Sequence, residues 1–291
     1  MRQQSHAGGL YTWHFELDGP ELTACTTTRH GGSSTGPYGG LNLGYHVGDD
    51  PDRVATNRAL LCDALGFETL TVADQQHGRR VTVVDDALVG AGYRSDADAR
   101  ARLGETDGLV TDRVGAALAV LVADCGPVVL FDPVRRVLGV THVGRRGAVL
   151  DVVGATVGLM AGAFGTDPAD VRAGIGPCIG TSSYEIGGPA LDEVRHAFGD
   201  DLLESSRPGH ARFDLVGAIR RRLAAAGVPG DRVDVAGIDT FARTGDVFSD
   251  RAERPCGRFM LAAALRRRPP LTPSTGTIHW RHPLMTVARH R

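Results

Sequence analysis

The sequence of 291 residues contains no lysine, so every one of its 32 basic side chains is an arginine. Mechanisms that need a lysine, such as Schiff-base formation, are therefore excluded. Cysteine is also scarce, because only five residues occur, far apart and without any Cys-x-x-Cys pair. Zinc ribbons and thioredoxin-like redox motifs are disfavoured by this pattern, and a reduced, cytoplasmic setting is the simplest interpretation.

The sequence also lacks the short motifs of several large enzyme classes. It has no Gly-x-Gly-x-x-Gly fingerprint and no Walker loop, which disfavours dinucleotide enzymes and P-loop proteins. No run of about 18 apolar residues is present, and residues 1–15 have no apolar signal region. A net charge of -2 gives no argument for a nucleic-acid or membrane partner.

The composition that remains is typical of a globular protein, with 42% hydrophobic and 23% charged residues. Predicted strands and helices alternate without an internal repeat or linker, which favours a single mixed α/β domain. We assign residues 11–265 to this domain, residues 1–10 to a loose leader and residues 266–291 to a basic, solvated tail. Inside the domain we expect one helix over about 148–164 and an exposed polar loop over 90–105.

The stretch from Val120 to Leu130 combines the pattern of a buried strand with residues that can carry chemistry. It is an apolar run, typical of a buried strand, that is interrupted by Asp124, Cys125 and then Gly126-Pro127. Because proline has no N–H to donate, Gly-Pro predicts a break in strand pairing. Asp124 and Cys125 would then lie at a strand end and face a cavity. The alternative is a buried structural cysteine beside a turn-capping aspartate.

Two histidines share the context of Cys125, because His77 and His142 also follow or end apolar runs and have a glycine within two residues. The three residues lie 48 and 17 positions apart, a spacing that matches no short metal motif. If their strands are neighbours, the side chains converge at one edge of a sheet. Two histidines and a cysteine with an open fourth position form a catalytic zinc set, and copper accepts the same ligands. The alternative is three separate structural roles.

Two arginines are candidates for holding an anion. Arg29 leads a Gly-rich loop, and Arg146 lies at a predicted helix start, where backbone N–H groups and a guanidinium favour negative charge. The alternative is that both are ordinary surface arginines. The glycine-rich run over residues 174–180 could also cradle an anion, and its Cys178 is either a nucleophile or a buried structural thiol. Asp124 is a candidate partner that orients a metal ligand, or a candidate general base.

Taken in order, a series of short motifs resembles the multicopper polyphenol oxidase, or laccase-domain (YfiH-like), family. The motifs span residues 27–258, nearly the whole predicted domain. They are Thr27-Thr28-Arg29-His30-Gly31-Gly32, Leu41-Asn42-Leu43-Gly44 with His46-Val47-Gly48-Asp49, Asn57-Arg58, Gln75-x-His77-Gly78, Asp107-Gly108-Leu109-Val110-Thr111, Ala123-Asp124-Cys125-x-Pro127-Val128, His142-x-Gly144-x-Arg146-Gly147, Gly176-Pro177-Cys178-Ile179, Tyr184-Glu185, Phe248-Ser249-x-Arg251 and Gly257-Arg258.

The resemblance implies a mixed α/β fold with sheets sandwiched between helices. It implies metal ligands at His77, Cys125 and His142, usually for zinc, and an enzyme that phosphorolyses adenosine, inosine, guanosine and 5′-methylthioadenosine and deaminates adenosine by hydrolysis. Purine nucleosides and phosphate would be its partners. The sequence leaves open whether the protein is a monomer or a homodimer. The assigned roles are catalytic for Cys125, Asp124 and Arg146, and substrate- or phosphate-binding for Arg29, Asn42, His46, Arg146 and Cys178.

Three positions depart from the family pattern. Arg145 stands where a tryptophan is usual, Asp239-Thr240 where a Cys-Thr pair is usual, and Asp250 where an aromatic residue is usual. These changes motivate a second hypothesis, a nucleoside-binding protein with reduced activity. A third is another enzyme on the same site, oxidising phenols with copper or hydrolysing an amide of a cell-wall precursor. One ligand set of two histidines and a cysteine cannot hold the several coppers that reduction of dioxygen requires.

Overall fold

Residues 1–267 are described by a computed structural model, and they form fifteen strands and six α-helices. Six strands build the first sheet. In spatial order they are β1 (Arg2–Ser5), β2 (Tyr11–His14), β3 (Leu22–Thr27), β15 (Phe259–Leu265), β7 (Ala117–Val122) and β4 (Thr71–Val72). All neighbours are antiparallel except β4 and β7.

The second sheet also has six strands, and a small third sheet has three. The second sheet has the order β14 (Val233–Val235), β10 (Arg172–Ile175), β8 (Gly126–Asp132), β9 (Val137–Val143), β6 (Gly108–Thr111) and β5 (Val81–Val83). The third has the order β11 (Glu185–Gly187), β13 (His210–Phe213) and β12 (Leu203–Ser205). In the second sheet, β8 pairs antiparallel with β9 and β10 on either side.

Six α-helices pack against the sheets. They are α1 (Pro51–Leu65), α2 (Asp96–Leu103), α3 (Arg145–Leu150), α4 (Val152–Phe164), α5 (Pro189–Phe198) and α6 (Leu215–Ala225). Apolar residues of α1 pack with the first sheet, and those of α3 to α6 pack with the second. A separate apolar layer fills the space between the sheets. The predicted mixed α/β fold with sheets between helices is confirmed.

The packing of strand β7 explains why its sequence is apolar at every position. Side chains alternate across a strand, so Leu118 and Val120 pack between the two sheets while Ala119 and Leu121 pack toward α1. Both faces are covered, and all four residues are buried. A continuous apolar run is the expected pattern for such a strand, and each large buried side chain contributes about 1.5–3 kcal/mol.

The central stretch crosses from one sheet to the other, because β7 belongs to the first sheet and β8 to the second. The crossing is made by residues 123–125, so Asp124 and Cys125 do lie between two strands, as predicted. The predicted break at Gly126-Pro127 is wrong, since both residues begin β8. Pro127 is tolerated because pairing with β10 starts only at Val128, so no ladder needs its missing N–H.

Three other expectations about local structure are corrected. The loose leader includes β1, which pairs with β2. The polar loop over 90–105 contains α2, whose first turn is capped by the side chain of Ser95. The single helix over 148–164 is two helices, because Asp151 adopts a left-handed conformation (φ 64°) between them. The predicted tail over 266–291 lies, beyond residue 267, outside the described residues.

Candidate metal centre

His77, Cys125 and His142 meet at one place in the structure. Their ligand atoms all lie within 4.8 Å of one another. The Sγ atom of Cys125 is 3.6 Å from Nε2 of His77, and the two imidazole rings meet edge to face with centroids 4.7 Å apart. Side chains 48 and 17 positions apart converge because β7 and β9, on facing sheets, end beside the loop that follows β4.

The donor set fits a zinc ion. Zn–S and Zn–N bonds of about 2.3 and 2.0–2.1 Å at a tetrahedral angle place sulfur and nitrogen about 3.6 Å apart. That separation is the one found between Cys125 and His77. Three protein ligands leave a fourth position for water or substrate, which is the arrangement of catalytic rather than structural zinc. Copper would accept the same donors.

A single carboxylate orients both histidines. Nδ1 of His142 donates to Oδ1 of Asp107 at 2.8 Å, which leaves Nε2 as the ligand atom. The same carboxylate accepts the backbone N–H groups of Gln76 (3.2 Å), His77 (2.9 Å) and Gly78 (2.7 Å). Asp107 is fully buried, so the four hydrogen bonds fix the histidine-bearing loop against β9.

The local electrostatics favour the ligand form of the cysteine. Burial raises the pKa of Cys125, but His142 and His77 together lower it to about 6. Burial lowers the pKa of His142, whereas Cys125 and Asp107 raise it to about 9. The thiolate is the form of cysteine that binds metals, and Cys125 is held in that form at neutral pH.

The conformation of the loop that carries His77 depends on the side chain of Gln75 and on left-handed backbone positions. The side-chain amide of Gln75 pairs with the backbone of Leu121 as a neighbouring strand would. Its N–H₂ group donates to the carbonyl of Leu121, and its oxygen accepts the N–H of Leu121, both at 2.7 Å. His77 itself has a left-handed backbone (φ 57°), as does Asp124 (φ 90°). Such conformations cost non-glycine residues energy and cluster at functional sites.

The crowding around residue 144 explains why a glycine stands two positions after His142. A Cβ atom at this position would lie 2.8 Å from Cδ2 of His77 and 2.9 Å from Sγ of Cys125. Any other residue would therefore push against two of the three ligands.

The three ligands line a cleft of about 990 Å³, which is at the upper end of ligand pockets. Four arginines line it as well: Arg100, Arg251, Arg254 and Arg258. Asp250, which also lines the cleft, accepts from Nε of Arg254 at 3.0 Å and from Arg258 at 3.2 Å. Four aspartates also line the cleft, so its formal charges balance. Arg100 pairs with Asp74, and Arg254 and Arg258 pair with Asp250.

Two contacts hold the guanidinium of Arg251 in place without neutralising its charge. Its guanidinium lies 5.6 Å from the ring centroid of Tyr184, and one of its nitrogens donates to the carbonyl of Glu185 at 3.2 Å. A planar guanidinium fixed in this way keeps other N–H groups for an anion.

Of the remaining predicted site residues, His46 and Asp124 line the cleft and Asn42 supports it. His46 lies 3.7 Å from the carboxylate of Asp96. Asp124 accepts three hydrogen bonds from residues more than 110 positions later in the chain. Asn42 is buried, and its Oδ1 accepts the backbone N–H of Arg258 at 2.8 Å.

Arg29, Arg146 and Cys178 are not among the residues that line the cleft. Arg29 donates to Glu253 at 2.8 Å and lies 4.5 Å above the ring of Phe248. Arg146 is exposed at the start of α3. Cys178 is buried, and burial raises its pKa to about 12, so it is a poor nucleophile.

Arg251, Arg254 and Arg258 were not predicted as site residues. Two of them occur in the strings Phe248-Ser249-x-Arg251 and Gly257-Arg258, which are part of the family resemblance but gave neither arginine a role. The two strings were the sequence signal that could have identified these arginines as site residues, because arginines beside small residues in a long irregular segment can approach a ligand closely.

A family model described as multi-copper polyphenol oxidoreductase laccase matches residues 23–266. The chain belongs to this family. The resemblance drawn from the motifs is therefore confirmed.

Named relatives and solved structures agree with this membership. A protein of Streptomyces griseus named purine nucleoside phosphorylase ORF3 is 42% identical over 234 residues, covering 80% of this chain and 89% of that protein. The crystal structure of YlmD from Geobacillus stearothermophilus matches with a TM-score of 0.82 and 32% identity, over 91% of this chain and 99% of that one. YfiH from Bacillus licheniformis matches with a TM-score of 0.81 and 34% identity, over 87% and 99%.

The departures from the family pattern have identifiable contacts. Arg145 donates to Glu193 on α5, which neutralises the charge it adds. Asp239 accepts the backbone N–H of Gly180 at 2.9 Å. Thr240 donates to Asp124 at 2.6 Å. Among residues 1–267, no helix combines the length and apolar character needed to cross a bilayer.

Proposed function

We propose that the protein is a zinc-dependent purine nucleoside phosphorylase of the cytoplasm, acting on adenosine, inosine, guanosine and 5′-methylthioadenosine. The observation that carries this proposal is the cleft that combines a three-ligand metal cluster with a wall of arginines. The name of the Streptomyces griseus relative supports the same activity.

Phosphorolysis needs an anion held beside a nucleoside. A phosphate oxygen forms a bond to C1′ of the ribose while the C1′–N9 bond breaks, and the purine takes the electron pair and then a proton. Arg251, Arg254 and Arg258 are suited to hold the phosphate, because guanidinium groups bind phosphate oxygens with paired N–H groups. We therefore transfer the phosphate-binding role from Arg29 and Arg146 to these three arginines.

The metal ligands support a second activity, the hydrolytic deamination of adenosine. A zinc ion held there would supply the activation of water that this hydrolysis needs, since such sites lower the pKa of water to about 7. The open fourth position left by His77, Cys125 and His142 favours this candidate. Asp107 would keep the ring of His142 oriented in both reactions.

Turnover of the zinc-loaded protein tests the proposal. With inosine and phosphate, liquid chromatography should detect hypoxanthine and phosphorus NMR should detect ribose 1-phosphate. Cys125→Ala should abolish both signals, because it removes a ligand. Cys62→Ala, in α1 on the outer face of the first sheet, is the matched control and should retain activity.

Deamination is separated from phosphorolysis by omitting phosphate. Adenosine should then yield inosine and ammonia without free base. A zinc-loaded protein that releases neither base nor ammonia from any of the four nucleosides would contradict the proposed function, and would favour the nucleoside-binding alternative if the nucleosides still bind.

A further inference from the structure

The connection between β14 and β15, residues 236–258, carries the arginine wall but contains no strand or α-helix of its own. Its position must therefore be fixed by contacts with the rest of the molecule. Two aspartates supply several of them. Asp239 lies within the connection, and Asp124 lies outside it, next to the metal ligand Cys125.

Asp124 directs its whole carboxylate at this connection. Oδ1 accepts the hydroxyl of Thr240 at 2.6 Å and the hydroxyl of Ser249 at 2.7 Å. Oδ2 accepts the backbone N–H of Arg251 at 2.7 Å. A carboxylate has about four lone-pair positions, and three of them are filled by short hydrogen bonds. A group occupied in this way is poorly placed to take a proton from substrate or water.

Arg251 is consequently fixed at both ends. Asp124 holds its backbone N–H, while Tyr184 and the carbonyl of Glu185 hold its guanidinium. The residue that holds the backbone of Arg251 is the chain neighbour of the metal ligand Cys125. One peptide unit, between Asp124 and Cys125, and one hydrogen bond, between Asp124 and Arg251, therefore connect the metal ligands to this arginine.

We propose that Asp124 is a positioning residue that fixes Arg251 as the phosphate-binding arginine, and that it transfers no proton itself. This inference rests on the proposed function. It corrects the catalytic role that the sequence suggested for Asp124 and assigns the residue to phosphate binding through Arg251.

Asp239 provides a matched control. Its carboxylate also accepts three hydrogen bonds, from the N–H groups of Gly180 (2.9 Å) and Phe241 (3.0 Å) and from the hydroxyl of Ser183 (2.6 Å). It fastens the same connection without contacting Arg251. Asp239→Asn and Asp124→Asn should therefore destabilise the protein comparably but affect phosphate differently.

The decisive measurement is calorimetric titration of the zinc-loaded protein with inorganic phosphate, which requires no turnover. Asp124→Asn leaves a single oxygen to accept from the Arg251 N–H and the two hydroxyls, and it should weaken phosphate binding about tenfold, as expected for loss of a hydrogen bond to a charged group. Asp239→Asn should change it less than about twofold. Zinc content should be unchanged in both variants. In a double-mutant cycle, adding Asp124→Asn to Arg251→Met should cause no further loss.

Other outcomes would overturn the inference. They are a loss of zinc in Asp124→Asn, equal weakening of phosphate in both asparagine variants, or additive losses in the cycle. A turnover rate that falls with the loss of one limb of its pH profile, at unchanged phosphate affinity, would restore the general-base role. If Asp124→Asn does not fold, Ser249→Ala removes one of the same three bonds and should weaken phosphate binding about threefold; unchanged binding would count against the inference. Wild-type protein that binds phosphate but releases no purine contradicts the proposed function and leaves this titration interpretable.

Discussion

Gly144 lies so close to two metal ligands that any side chain at this position would contact both. We expect Gly144→Ala to lose zinc at concentrations that saturate the wild type, because its Cβ would lie 2.8 Å from the His77 ring and 2.9 Å from Cys125 Sγ. Metal content by mass spectrometry measures this. Gly158→Ala in α4 is the control, since nothing lies within 4 Å of the added Cβ; it should bind zinc normally and stabilise the helix by about 0.5–1 kcal/mol.

Asp107 is the second residue with a local and measurable effect on the metal. Asp107→Asn replaces one of the oxygens that serve the His142 ring and the loop of His77 with an N–H₂ group. Zinc affinity should fall about 10- to 100-fold, as is usual for partners of metal-binding histidines. Competition with a chromophoric chelator checks this. Asp132→Asn, a buried carboxylate at the far end of β8 that also accepts two backbone N–H groups, should leave the affinity unchanged.

At the scale of elements, α1 is joined to two loops by one fully buried arginine. Arg58 donates to the carbonyls of Leu43, Gly92 and Tyr93 at 2.6–2.9 Å and lies over the ring of Tyr45. Burial lowers its pKa to about 10, so it remains charged at neutral pH.

Removing this arginine should therefore loosen the element as a whole. Arg58→Met leaves three carbonyls without partners and should lower the free energy of unfolding by about 3 kcal/mol or more. Urea denaturation measures the loss. The exposed Arg220 of α6 gives the control, because Arg220→Met should cost less than about 0.5 kcal/mol. Equal losses would contradict a special role for Arg58.

Elements with strong local signals could be predicted from the sequence, and those set by distant contacts could not. Asp50-Pro51 and Gly66 bound α1 as expected, because cap and breaker residues act locally. The split between α3 and α4 was missed, since Asp151 gives no apolar signal when it turns left-handed. Helix α2 was missed because only Ala99 and Leu103 of its eight residues are buried.

The candidate site divides in the same way. His77, Cys125 and His142 could be chosen because each marks the end of an apolar run, where a side chain leaves the core. Arginines could not be assigned by such a rule. The guanidinium of Arg29 contacts Glu253, which lies 224 positions later, and no local pattern encodes that contact.

At the scale of the whole molecule, metal binding should be coupled to stability. A ligand that binds only the folded state at 100 times its dissociation constant stabilises it by about 2.7 kcal/mol, which corresponds to about 5 °C in the melting temperature of a domain of this size. Zinc should raise the melting temperature by that amount, and a chelator should reverse the shift. Cys125→Ala should melt at one temperature with and without zinc; a shift of equal size in this variant would place the metal elsewhere.

Strand β15 gives the molecule a definite order of assembly. Its residues, 259–265, form the last strand among residues 1–267, yet they lie in the middle of the first sheet, between β3 and β7. During synthesis, β7 and the cysteine that follows it must wait about 140 residues for the neighbour that completes their sheet. A nascent chain halted before residue 259 should expose two unpaired strand edges and hold no zinc. Chaperone binding to such a halted chain should therefore exceed binding to a chain released with β15 in place.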